Sequence, residues 1–186
     1  MEFTSDNGPW LIFNEHGGSA GLLRDGKGST WEGGMREPTI FWWPGRVKPG
    51  MVTDLGSTLD LLPTCAALCG AQLPGNPTLD GHDISPALLG TGPSPRDTMF
   101  YYRGCQLYAV RKGPYKAHFI TKDAYGRSQA EQHDPPLLYH LGHDPSETHD
   151  LSGDHPEVVA EIRKIAEAHK SAMVPGEPQL DRRIGK

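Results

Sequence analysis

Between residues 6 and 38 the chain carries eight glycines: Gly8, Gly17, Gly18, Gly21, Gly26, Gly28, Gly33 and Gly34. Glycine loses more backbone freedom on folding than any other residue and offers no side chain to pack, so such a run does not build long helices or strands. A connection of this length inside a compact domain is either functional or disordered. This one also holds Trp10, Leu11, Ile12, Phe13, Leu22, Leu23 and Trp31, a set that disorder does not favour. The stretch therefore reads as an ordered loop wrapped around a site.

The elements around that loop divide the chain. Residues 3–5 read as the end of a strand. The apolar run Thr39-Ile40-Phe41-Trp42-Trp43, bounded by Pro38 and Pro44, reads as a strand buried on both faces in a helix-covered parallel sheet. Residues 57–69 read as a helix that opens on a Ser57/Asp60 capping box, is kinked or divided by Pro63, and ends at Gly70. Residues 84–89 form a short helical turn. Beyond residue 98 the period changes to two. Residues 99–103, 106–111, 115–120 and 137–141 read as four antiparallel strands, separated by two hairpin turns and a polar excursion at 121–136. A helix follows over 156–173, with Asp154 as N-cap, Pro156 in its first turn and an apolar stripe that covers one face of the sheet. The resulting domain reading is 1–98, then a small sheet-plus-helix subdomain at 99–175, then a tail at 176–186.

Composition narrows the partners. Eighteen Lys and Arg face 23 Asp and Glu, a net charge of −5, which excludes a nucleic-acid binder driven by phosphate neutralisation. No apolar run approaches the ~18 residues of a membrane span, and the N-terminal residues do not resemble a secretory leader. Three cysteines are too few for a disulfide framework. Cys65 and Cys69, four apart in a helical pattern, read as small buried side chains.

Chemistry-bearing residues concentrate in the glycine-rich stretch. Asp6-Asn7-Gly8 closes the first strand with a carboxylate, an amide oxygen and a turn residue, ligand types that calcium and magnesium accept. Two ligands are too few for either ion. Lys27 lies between Gly26 and Gly28, where neighbours without side chains let an anion approach the ammonium. The surrounding Gly21–Gly28 spacing resembles a phosphate loop but lacks the Ser or Thr after the lysine. Farther on, Glu32, Arg36 and Glu37 precede the buried strand, and an Arg36 pair with either acid would anchor the loop. His133, His140, His143 and His149 lack ligand spacing. His118, in the strand 115–120, could face either the core or a cleft, and Lys116 and His118, alternating along that strand as exposed positions, could flank a neighbouring acid.

Taken in order, Ser5-Asp6-Asn7-Gly8-Pro9, the run from Gly26 to Pro38, Trp43-Pro44-Gly45, Asp60-Leu61-Leu62-Pro63-Thr64, Leu79–Asp83, Tyr115–Phe119 and His143-Asp144-Pro145 resemble the later part of a sulfatase. Within that family the chain leans toward the N-acetylgalactosamine-6-sulfatase branch over the arylsulfatase A branch. The resemblance implies an α/β fold: part of an alkaline-phosphatase-like catalytic domain, then a small α+β subdomain with a four-stranded antiparallel sheet and a C-terminal helix. It implies a divalent ion, Ca2+ or Mg2+, with Asp6 and Asn7 among its metal ligands, and Lys27 as a catalytic and substrate-binding contact to the sulfate. The implied substrate is a sulfated carbohydrate or aryl sulfate. The implied setting is a lysosomal or secreted parent enzyme that could form homo-oligomers.

The family's formylglycine nucleophile arises from Cys-x-Pro-x-Arg. None of Cys65, Cys69 or Cys105 is followed by that pattern. The expectation is therefore a chain whose N-terminal, formylglycine-bearing part is missing and which is inactive alone. A non-catalytic truncated product or partner protein, and a related phosphoesterase, stand as the other readings.

Overall fold

The computed structural model describes residues 1–75, 79–125, 129–174 and 176. The expected tail at 176–186 falls, apart from Gly176, outside the described residues. The chain divides into two units, one formed by residues 1–4 and 38–98 and the other by residues 5–37 and 99–186. The glycine-rich loop thus groups with the C-terminal sheet.

In the first unit, β1 (Glu2–Thr4) pairs antiparallel with β2 (Thr39–Phe41), Phe3 lying opposite Ile40. The ribbon is short and open. Ile40 is 57% exposed and Trp42 58%, so the expected two-sided burial in a parallel sheet does not occur. An apolar run marks a strand but does not state what covers it, and no third strand joins this pair among the described residues.

A single 3-10 turn at Thr58–Asp60 leads into α2 (Leu61–Cys69), whose numbering follows the short α1 (Glu32–Met35) of the glycine-rich loop. The Ser57/Asp60 capping box forms as read. Pro63 sits in the first turn of α2, where its missing N–H costs nothing, so the helix runs on to Gly70 in the left-handed conformation. Cys65 and Cys69 are free and exposed, contrary to the expected burial. The inward face of α2 is set by Pro63 and Thr64; the Thr64 hydroxyl accepts the Ile84 N–H at 3.0 Å, just ahead of α3 (Ser85–Leu89).

Asp60 ties this unit together. Its carboxylate is buried, accepts Arg96 Nε at 2.8 Å and Nη2 at 2.5 Å, and also receives the backbone N–H groups of Ser57 and His82, each at 2.8 Å. Burial alone would raise its pKa; the bonds from Arg96 and His82 outweigh that and lower it.

The second unit is built on one antiparallel sheet in the order β3 (Thr98–Arg103), β4 (Gln106–Lys112), β5 (Tyr115–Thr121), β6 (Glu131–His140). Gly104 and Gly113, both at positive φ, make the hairpin turns. Strand β6 starts earlier than expected: Gln132 lies opposite Ile120 past a register shift at residues 118–120, so part of the polar excursion is strand. Pro135 and Pro136 are tolerated there because β6 is an edge.

Side-chain alternation sends the two sheet faces to different layers. Val110, Ala117 and Leu138 pack against Val159, Ile162 and Ala166 of α4 (Pro156–Ala172). The helix begins after His155 rather than on an Asp154 cap, with no side-chain bond to its first amides. The opposite face, which the sequence reading left uncovered, packs against the glycine-rich loop: Trp31 joins Tyr139, Leu141 and Leu137. Truncating Ile162, which has no solvent exposure, to alanine is expected to cost about 2–4 kcal/mol of unfolding free energy, read as a lower urea midpoint at unchanged m-value.

Candidate anion site and its buried support

Backbone bonds bring the two candidate segments into register. Gly8 N–H donates to Gly34 O at 3.2 Å and Lys27 N–H to Pro9 O at 2.9 Å. A Cβ on Gly8 would lie 1.9 Å from Gly33 O; only glycine allows these strands of loop to cross. Asp6 is exposed and Asn7 half-buried on the turn before the crossing. The Ser5 hydroxyl donates to Asn7 O at 2.9 Å. Glu37, half-buried, has its pKa raised by burial and then by the charge of Asp6.

Lys27 is exposed, its ammonium 5.5 Å from the centre of the Trp10 ring. It lies at the outer part of the segment while its neighbours turn inward: Ser29, Thr30, Trp31 and Glu32 are all buried. The Ser29 N–H and hydroxyl both bond Gly26 O, at 3.1 and 3.0 Å. An ammonium flanked by glycines on a tightly bonded loop is suited to meet an anion with little reorganisation.

Beneath this segment lies a charge cluster without solvent contact. Lys116 Nζ donates to Thr30 O at 2.8 Å and to Glu32 Oε1 at 2.8 Å, and stands 3.1 Å from Glu147 Oε1. Glu147 accepts the Glu32 N–H at 2.6 Å and contacts His118 Nε2 at 2.7 Å. The Tyr101 hydroxyl donates to Glu32 at 3.2 Å, and the Arg111 guanidinium stands 3.8 Å from it. Lys116 and His118 are therefore buried, where alternation alone had suggested exposed positions. Glu32 faces Lys116 rather than Arg36, because the short turn α1 directs it into the sheet. No sequence spacing marks Glu147; its burial beside two β5 side chains is visible only in three dimensions.

Two acids are balanced by Lys116 and Arg111, and His118 completes the cluster uncharged. Burial pushes the His118 pKa down to about 4, with Lys116 acting in the same direction and Glu147 opposing. Glu147 is lowered: burial would raise it, but His118 and Lys116 prevail. Tyr101 is raised by burial and by Glu32.

Asp6 and Asn7 by themselves are too few ligands for calcium or magnesium. Among the described residues no group of three or more His, Cys, Asp or Glu is gathered that could hold a metal ion. The expectation of a divalent ion is corrected to that extent: the described residues form no metal-binding cluster of their own.

An α/β chain that presents a glycine-flanked lysine above a four-stranded sheet defines the class; comparison with known proteins places it within that class. The family model described as "Sulfatase" matches residues 1–71, and the one described as "C-terminal region of aryl-sulfatase" matches residues 94–184. This chain belongs to the sulfatase family. It is 50% identical over 177 residues to arylsulfatase A of Bos taurus, covering 86% of the chain and 34% of that protein. N-acetylgalactosamine-6-sulfatase of Canis lupus familiaris is 41% identical over 204 residues, covering 96% and 39%. The PsFucS1 sulfatase of Pseudoalteromonas sp. superposes with a TM-score of 0.80 at 31% identity, covering 91% of this chain and 36% of that one. The chain thus spans about a third of the length of these relatives.

Two sequence expectations change. The chain carries sequence matched by the sulfatase-domain model from residue 1 to residue 71, so the view that the sulfatase domain is missing from it is withdrawn, although no cysteine here is followed by the Cys-x-Pro-x-Arg pattern. Cys69, exposed at the end of α2, lies inside that match. The leaning toward N-acetylgalactosamine-6-sulfatase is also not supported, since the identity to arylsulfatase A is higher.

The cluster predicts an acid dependence. His118 stays neutral in the folded protein down to about pH 4, whereas in the unfolded chain it titrates near 6.5. The unfolded state therefore takes up the proton first. The His118 contribution to stability is present above pH 6.5 and falls by about 2–3 kcal/mol as the pH drops toward 4. In urea unfolding between pH 7.5 and 4.5, His118→Gln is expected to show a shallower loss than the parent chain; equal slopes would exclude His118 as the source.

Proposed function

We propose that this chain supplies the anion-holding loop of a sulfuric ester hydrolase, the parent enzyme cleaving sulfate esters of sulfated sugars or aryl sulfates. One observation carries the reading: Lys27 is an exposed cation between two glycines, on a loop whose backbone is bonded on both sides, within a chain of the sulfatase family. A sulfate oxygen gains negative charge as the ester S–O bond breaks. A fixed ammonium at that point stabilises the transition state more than the ground state. The neighbouring Asp6-Asn7-Gly8 turn is held to the same loop by the Gly8–Gly34 bond.

Titration of the chain with sodium sulfate at low ionic strength tests this reading. Sulfate binding is expected to weaken about fivefold in Lys27→Ala, in keeping with the loss of one exposed charge-assisted contact, and to be largely retained in Lys27→Arg. Equal affinity in the Lys27→Ala variant overturns the assignment. Tighter binding of inorganic phosphate than of sulfate would favour a phosphoesterase.

A further inference from the structure

Lys27 occupies the middle of a segment that is anchored on either side by the buried cluster. On one side, Arg24 Nη1 donates to the Glu147 carbonyl at 2.8 Å while its guanidinium lies 3.6 Å above the Trp31 ring. On the other, Thr30 O accepts Lys116 and the Glu32 N–H donates to the Glu147 carboxylate. Glu147 therefore grips both limbs of the loop, one through its backbone and one through its side chain. The loop closes on itself between these grips, Gly33 N–H donating to Arg24 O at 2.8 Å.

We propose that Glu147 and Lys116 are positioning residues for Lys27: they fix the 24–34 loop against the sheet, so that its ammonium is held where a sulfate oxygen would sit. The proposal rests on the reading of Lys27 as the anion contact. Its physical basis is the composition of the cluster. A buried ion network is a poor source of net stability, since apolar residues of equal volume commonly do as well. What charges provide is a geometry with few alternatives: Lys116 must meet both acids at once, and displacing the loop by one residue would leave a charge buried without a partner. Lys27 itself makes no ion pair with the cluster; it is tied to it through the connecting chain, and its N–H bond to Pro9 O fixes the outer side of the loop.

Hydrogen exchange on the full 186-residue chain separates positioning from general support. In Glu147→Gln, amides of residues 24–34 are expected to exchange about tenfold faster, while those of α4 keep their protection. Sulfate affinity, measured with sodium sulfate, falls with them, and Lys27→Ala/Glu147→Gln binds no more weakly than Lys27→Ala alone. Unchanged exchange in residues 24–34 overturns the proposal. So does equal loosening of α4, which would mark Glu147 as a general scaffold residue, and so does an additive loss in the double variant. Lys116→Met, read by the same exchange pattern, gives a second test should the first variant be too stable to respond. If Lys27→Ala leaves sulfate binding intact, the Lys27 reading fails, while the exchange arm still decides whether the cluster holds the loop.

Discussion

A lysine without solvent exposure is the constraint on which the second unit depends. Removing an ammonium from water costs several kcal/mol unless charges of opposite sign and hydrogen-bond acceptors replace the lost hydration. Lys116 finds those replacements in Thr30 O, Glu32 and Glu147, which belong to two loops remote from each other in sequence. Among the described residues Lys116 is the one cation that meets both acids, with Arg111 and Tyr101 supporting Glu32 and His118 supporting Glu147. The glycine-rich loop, strand β5 and the turn that carries Glu147 therefore form one arrangement, and a partly assembled version would leave uncompensated charge in a low-dielectric interior.

The period of a strand makes this possible. Tyr115, Ala117 and Phe119 face α4 and form an ordinary apolar core, while Lys116 and His118 face the loop. One sheet thus serves two purposes. Its helix-covered face supplies hydrophobic stabilisation, and its loop-covered face supplies position. The Trp31 ring bridges the two kinds of packing, lying 4.2 Å from the His118 ring and edge-on to Tyr139 at 5.9 Å. Apolar contact on that face excludes water from the charges and so strengthens each of their bonds.

Local signals were the legible part of the sequence. Four strands, their hairpin turns, the capping box at Ser57, the terminal helix and the ordered character of the glycine-rich loop all follow from period and turn chemistry, which act over a few residues. The misreadings share one physical origin: they concern what lies above a surface. Trp42 and Ile40 look like core residues because they are apolar, yet burial depends on a covering layer that their own segment does not encode. Lys116 and His118 look like solvent positions because they are polar, yet a loop some 85 residues earlier covers them. Cys65 and Cys69 share a face of α2 with the exposed Leu62, a choice made by Pro63 and Thr64 turning inward. At the candidate site, Lys27 was legible because flanking glycines advertise access. Glu147 was not, because its partners are gathered only by folding.

The segments that carry the family resemblance separate, in the structure, into many scaffold residues and few exposed ones. Between Gly26 and Pro38, Ser29, Thr30, Trp31, Glu32, Gly33 and Gly34 are all buried, their polar groups spent on the loop itself or on β5 and Glu147. Asp60, at the head of another such segment, is likewise occupied by Arg96 and two backbone amides. Lys27, Gly28, Met35 and Arg36 remain open to solvent, as does Asp6. A motif of this kind is in large part a folding instruction: its buried members determine where an exposed cation such as Lys27 stands, and chemistry at that cation depends on how little the rest can move. The specificity of the resemblance and the mechanics of the site are in this sense one property, since residues that must fit a network of buried charges and crossing backbones have few substitutes.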